Sequence, residues 1–127
     1  MVVDDDAQSL ELIAELLRDM VEVEISAFSE PRAALRAFVA EPAAFELVIT
    51  DLNMPGLDGA ALTCALLAHA PELRVILCTG SCRALSPADA RALGFAAVLP
   101  KPFQASALAA AVRWAFAQSR AGIALAA

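Results

Sequence analysis

A chain of 127 residues has room for one domain with a substantial core and none for a second folded unit. Apolar residues make up 60% of it, yet no run approaches the roughly 20 needed to cross a bilayer, and an acidic triplet at residues 4–6 interrupts any signal-peptide pattern, so a cytoplasmic location is expected. The net charge of −6 argues against binding nucleic acid, whose affinity comes largely from Lys and Arg displacing counterions.

Val2-Val3 reads as the tail of a strand that stops at Asp4, Asp5 and Asp6. So short a strand at the centre of a sheet implies that native residues precede Met1 and that the strand is frayed or leans on its neighbours. Leu10, Ile13, Leu17 and Met20 recur at helical spacing over 8–20, and Asp6 is placed to cap that helix. VEVEISAF (21–28) alternates apolar and polar residues, as in a strand with one face partly wet. Ser29, Glu30 and Pro31 then offer a cap, an N-terminal acid and a first-turn proline for a helix ending near Glu41.

FELVIT (45–50) is a continuous apolar run, the form of a strand buried on both faces, and it ends at Asp51. The loop LNMPGLDG is dense in turn formers, and a helix carrying Leu62, Ala65, Leu66 and Ala70 runs on to Pro71. RVILC (74–78) repeats the buried-strand pattern and ends at Thr79-Gly80. Ser86-Pro87 opens a short helix closed by Gly94, AAVL (96–99) forms a last strand, and Lys101-Pro102 precedes a helix over 105–119. The cysteines Cys64, Cys78 and Cys82 are odd in number and lack the spacing of a redox or zinc pair, which predicts reduced thiols packed as small apolar groups. His69 falls in the last turn of its helix, where a cation suits the helix dipole, and a phosphodonor role for it is not expected.

Five strands alternating with five helices predict a doubly wound parallel α/β sheet, since parallel neighbours need long crossovers. In such folds ligands sit beyond the carboxyl ends of the strands. There stand Asp4, Asp5 and Asp6, then Asp51, Thr79 and Lys101. Carboxylates crowded together raise one another's pKa unless a cation shares the site. Hard oxygen donors without soft ligands suit Mg²⁺, with Mn²⁺ as a substitute. A carboxylate flanked by a metal, an ammonium and a hydroxyl also suits phosphoryl transfer, and Asp51, alone at a central strand's end, is the best nucleophile.

VVDDD, VITDLNMPGLDG, VILCTG and LPKPF, in this order and spacing, closely resemble the receiver domain of two-component response regulators. The resemblance implies a flavodoxin-like three-layer sandwich of strand order 2-1-3-4-5 spanning residues 1–120, with a tail at 121–127. It further implies that Asp51 accepts a phosphoryl group from a histidine kinase or histidine phosphotransfer protein. Asp5, Asp51 and the backbone carbonyl of Asn53 would bind Mg²⁺, with Asp4 acting through a bound water. Thr79 and Lys101 would contact the phosphoryl group, Lys101 through a cis peptide to Pro102, while Gly80 leaves it room. Asn53 and Ser81 match positions that tune dephosphorylation. One departure stands out: Val98 occupies the position where the family often carries a switching Tyr or Phe, although Phe95 and Phe103 are near.

The implied activity is that of a signalling phosphoacceptor rather than a turnover enzyme. A degenerate receiver acting only by binding is the alternative. A small phosphatase resembling the haloacid dehalogenases is disfavoured, because those place a second aspartate where this chain has Asn53. Trp114, Phe116 and an alanine-rich stripe on the last helix suggest dimerisation or interdomain docking there. The phrases VILCTGSCRALSPADARALGF and AAVLPKPF look more like receivers at the C-terminal end of hybrid sensor kinases than like those heading transcription factors.

Overall fold

A computed structural model of the chain describes residues 1–20, 24–80 and 86–117. Its strands are β1 (Val2–Val3), β2 (Ala27–Phe28), β3 (Leu47–Thr50), β4 (Arg74–Thr79) and β5 (Ala97–Pro100). They form one sheet in the order β2-β1-β3-β4-β5, every neighbouring pair parallel. The crossovers are α1 (Ala7–Met20), α2 (Pro31–Ala40), α3 (Gly59–His69) and α4 (Pro87–Ala92), and α5 (Ala105–Ala117) follows the last strand. Architecture and strand order are those expected. Among the described residues no helix is long and apolar enough to cross a membrane.

Successive strand residues point to opposite faces, so each inner strand feeds two cores. Val3, Val48, Val75 and Leu77 pack with Phe38 of α2 and with Leu62 and Leu66 of α3. Val2, Ile49, Ile76, Cys78 and Leu99 pack instead with Ile13 and Leu17 of α1 and with Leu108, Val112 and Ala115 of α5. Both faces exclude water, which is why β3 and β4 need unbroken apolar runs rather than alternation.

Short polar side chains set the helix starts. Asp6 accepts from the backbone N–H of Gln8 at 3.0 Å, fulfilling its expected role as a cap. Asp58 takes the N–H of Ala61 at 2.8 Å and Ser86 that of Asp89 at 3.1 Å. At α2 the cap is Glu30 rather than Ser29: its carboxylate accepts from Arg32 N at 3.1 Å, with Pro31 in the first turn. Gly94 closes the α4 segment at φ +99°, a conformation that only glycine adopts cheaply.

Three other expectations are corrected. The second strand is only Ala27–Phe28, with residues 24–26 outside it and 21–23 outside the described residues. A partner strand two residues long supplies only two register positions, Val2 opposite Ala27 and Val3 opposite Phe28, so the ladder stops there. Of the two outcomes expected for β1, fraying is corrected and reliance on its neighbours is seen: Val2 and Val3 are 1% and 0% exposed and pair on both sides. Cys64 is exposed while Cys78 is buried, because the buried stripe of α3 runs through Leu62, Thr63 and Leu66 and misses position 64. Cys82, the end of the expected last helix at 118–119 and the tail at 121–127 lie outside the described residues.

Phe38 is fully buried and stacks on Phe45 with ring centroids 5.7 Å apart. Phe38→Ala is expected to lower unfolding free energy by about 3–5 kcal/mol, read as a reduced urea midpoint at unchanged slope.

Candidate functional site

The parallel register places Val3 opposite Thr50, so Asp4 and Asp51 emerge side by side at the carboxyl edge of the sheet. The backbone carries this register one step further, with Asp51 N–H donating to Val3 O at 3.0 Å. One carboxylate oxygen from each of Asp4, Asp5 and Asp51 lies within 4.8 Å of the other two. The three differ in access: Asp4 is buried, Asp51 partly exposed and Asp5 exposed.

Lys101 approaches from β5. Its backbone N–H donates to Thr79 O at 2.8 Å, which ties it to the end of β4, and its peptide bond to Pro102 is cis as expected. Its Nζ donates to Asp4 Oδ2 at 2.6 Å and stands 3.8 Å from Asp51 Oδ1. Lys101 is therefore hydrogen-bonded to Asp4 and only at ion-pair distance from Asp51. The buried carboxylate has the greater need of a countercharge, and its other oxygen takes the backbone N–H of Asp6 at 2.9 Å.

Of the remaining expected site residues, Thr79 is 1% exposed at the end of β4. Gly80 is exposed, and among the described residues beyond its chain neighbours a methyl group there would meet nothing closer than Lys101 Cβ at 4.0 Å. Asn53 is exposed in the loop after β3, and Ser81 lies outside the described residues. Val98 is half-buried opposite Leu77 and packs on the α2–α3 core. Phe95 is buried in that same core, whereas Phe103 packs on the α1–α5 side. Two residues that the sequence did not single out also touch the site backbone. Thr50 Oγ1 donates to Asp51 O at 2.9 Å, and Gly59 N–H donates to Leu52 O at 2.8 Å. The only sequence signal was an Asp-Gly pair that reads equally well as an ordinary turn.

Burial pushes the Asp51 carboxyl above its ordinary pKa; Lys101 pulls it back, Asp4 pushes it up, Leu52 N–H favours the anion and Asp5 adds a smaller push upward. For Lys101 burial alone would favour the neutral amine, but the hydrogen bond and charge of Asp4, with the charge of Asp51, outweigh it and the pKa rises. Desolvation also pushes the Cys78 thiol up to about 12, so it is protonated and inert beneath the site. Three oxygen donors, one of them open to solvent, with no soft ligand among them, fit a hard divalent cation such as Mg²⁺.

The raised Asp51 pKa has a defined effect on stability. The folded chain holds that proton more tightly than the unfolded chain, so the associated stability is whole below the ordinary value of 3.8 and is lost as pH rises through the raised value. Asp51→Asn is therefore expected to match the parent at acidic pH in metal-free buffer. At neutral pH, where the parent carries the cost of ionising this carboxyl and the variant does not, it should melt higher than the parent. Calorimetry across the pH range checks both arms.

A family model described as the response regulator receiver domain matches residues 1–113. The chain is 36% identical over 108 residues to the response regulator protein FleR of Pseudomonas aeruginosa, an alignment covering 85% of this chain and 22% of FleR. With the transcriptional regulatory protein FixJ of Azorhizobium caulinodans it shares 34% identity over 118 residues, covering 93% of this chain and 54% of FixJ. The chain thus spans from under a quarter to about half the length of these relatives. The solved receiver domain of NtrX from Brucella abortus is similar at TM-score 0.82 and 30% identity, over 93% of this chain and 98% of that one. A receiver domain protein from Clostridium thermocellum gives 0.80 and 29% over 92% of each. A family match over nearly the whole fold, on a sheet whose strand ends carry the expected acids and lysine, means that the chain belongs to the response regulator receiver domains, the phosphoacceptor modules of two-component signalling.

Proposed function

We propose that Asp51 is the phosphoacceptor of this receiver and that the phosphoryl donor is a phosphohistidine on a histidine kinase or histidine phosphotransfer protein. The observation that carries this reading is access. Among the three clustered carboxylates, Asp51 alone is both within 4 Å of the Lys101 ammonium and partly open to solvent. Asp4 is closer to Lys101 but sealed, and Asp5 is open but has no such cation beside it among the described ion pairs.

In the proposed reaction an Asp51 oxygen attacks phosphorus, the O–P bond forms as the N–P bond to imidazole breaks, and the leaving ring takes up a proton. Lys101 neutralises charge on the transferred group, and Thr79 donates its hydroxyl to a phosphoryl oxygen. Asp5, Asp51 and the Asn53 carbonyl would hold Mg²⁺, Asp4 acting through its water. The bound ion would offset the crowded carboxylates and bind the phosphoryl oxygens. The space beside Gly80 receives the group, Asn53 and Ser81 set the rate of its loss, and Val98 leaves output to a route other than an inward-turning aromatic ring. On this reading the chain is a self-catalysing acceptor and not an enzyme of repeated turnover. Residues 1–120 make up the receiver, and it works in the cytoplasm.

The name of FixJ, a transcriptional regulatory protein, favours a parent protein that controls transcription; the likeness of two segments to hybrid-kinase receivers favours a kinase parent instead. A second proposal concerns α5, where Trp114 is 57% exposed beside small alanines while Phe116 lies under the Arg74 guanidinium at 5.0 Å. A homodimer through this helix would cover Trp114.

Acetyl phosphate with Mg²⁺ is expected to give one hydroxylamine-labile phosphoryl group on the chain, absent in Asp51→Asn. Labelling retained in that variant would overturn the assignment, and steady hydrolysis of a phosphomonoester would favour the phosphatase alternative. For the dimer, sedimentation after beryllofluoride treatment should show twice the monomer mass in the parent chain and the monomer mass in Trp114→Lys; a monomer throughout refutes it.

A further inference from the structure

Asp51 leaves β3 with its backbone held on both sides. Its N–H is bonded to β1 through Val3 O, and its carbonyl oxygen accepts the Thr50 hydroxyl at 2.9 Å. Together these bonds restrain the rotations on either side of its Cα and so fix the direction of its Cα–Cβ bond. One residue on, Leu52 O is bonded to Gly59 N–H at 2.8 Å, which joins the loop to the first residue of α3.

Gly59 sits so close to this segment that a Cβ there would penetrate the Asp51 carbonyl oxygen and lie 3.0 Å from both Asp51 C and Leu52 Cα. Those are backbone atoms, which cannot swing aside as a side-chain tip can. Thr50 is fully buried and, by strand alternation, faces the α2–α3 core with Val48. A hydroxyl sealed there must find an acceptor inside the protein, and the one it finds is the carbonyl of the neighbouring Asp51.

We propose that Thr50 and Gly59 form a clamp on the Asp51–Leu52 backbone that orients the acceptor carboxylate and sets the loop bearing Asn53. Neither touches the reacting atoms, so both are positioning residues. The proposal rests on Asp51 being the phosphoacceptor. Releasing the Thr50 bond frees the peptide plane after Asp51 to tilt, and a displacement of about 1 Å at a reacting group can cost about a hundredfold in rate.

The test compares Thr50→Val, which keeps the shape and removes the hydroxyl, with Thr50→Ser, which keeps the hydroxyl, and with Gly59→Ala. The phosphorylation rate from acetyl phosphate at saturating Mg²⁺ and the Mg²⁺ Kd by calorimetry are measured well below each variant's melting temperature. Thr50→Val should be phosphorylated about tenfold more slowly and bind Mg²⁺ about tenfold more weakly, with Thr50→Ser restoring both to within about twofold. Gly59→Ala should lose about a hundredfold in rate; if it does not fold, the threonine pair carries the test. A folded Thr50→Val with parental rate and Mg²⁺ affinity overturns the clamp, even if its melting temperature falls, because that marks a merely structural bond. If the parent chain is not labelled, or Asp51→Asn still is, the acceptor assignment has failed, and Mg²⁺ affinity alone decides: weaker in Thr50→Val supports the clamp, unchanged refutes it.

Discussion

Lys101 Nζ meets Asp4 Oδ2 at 2.6 Å across 97 positions of sequence, joining the beginning of the chain to the last strand. Asp4 is 1% exposed, and a carboxylate so far from water is tolerable only when its lone pairs are occupied. The ammonium takes one oxygen and the Asp6 N–H the other. Removing either partner of such a pair strands the other charge, so the first and fifth strands depend on one another although β3 and β4 stand between them. The same ammonium stands 3.8 Å from Asp51, so it moderates the repulsion between two of the three clustered acids.

That arrangement leaves negative charge in excess by design. Asp51 sits where burial and its neighbours make ionisation costly, and the fold carries that cost at neutral pH. A carboxyl whose ionisation the fold makes costly is kept at some expense of stability, the usual relation at a functional site. The cost is local to the sheet edge, and the cores flanking the sheet bury large apolar side chains, Ile76, Leu62, Leu66 and Leu108 among them.

Val98 has no ring and packs against the α2–α3 core, and the ring of Phe95 is buried within that core. β4 and β5 are paired up to Thr79 and Pro100, so the strand ends that carry Thr79 and Lys101 are joined to each other. The exposed Trp114 and the Arg74–Phe116 contact lie on α5 or touch it.

Much of this was legible in the sequence, for a simple reason. A strand buried on both faces needs an unbroken apolar run, and the polar residue that ends such a run marks the carboxyl edge of the sheet; Asp4, Asp51, Thr79 and Lys101 could be read from that rule. The cap at Asp6 was legible because capping is local in sequence. What stayed hidden depends on distances between segments. The brevity of β2 follows from its partner, the exposure of Cys64 from which face α3 turns to the core, and the preference of Lys101 for Asp4 from which carboxylate is buried deeper. Thr50 and Gly59 were invisible for the same reason: a threonine in a strand and a glycine after an aspartate are commonplace, and only the close approach of α3 to the Asp51 backbone gives them work to do. Sequence alone thus determined which residues stand at the strand ends, while tertiary packing decided which charges pair and which backbone atoms touch.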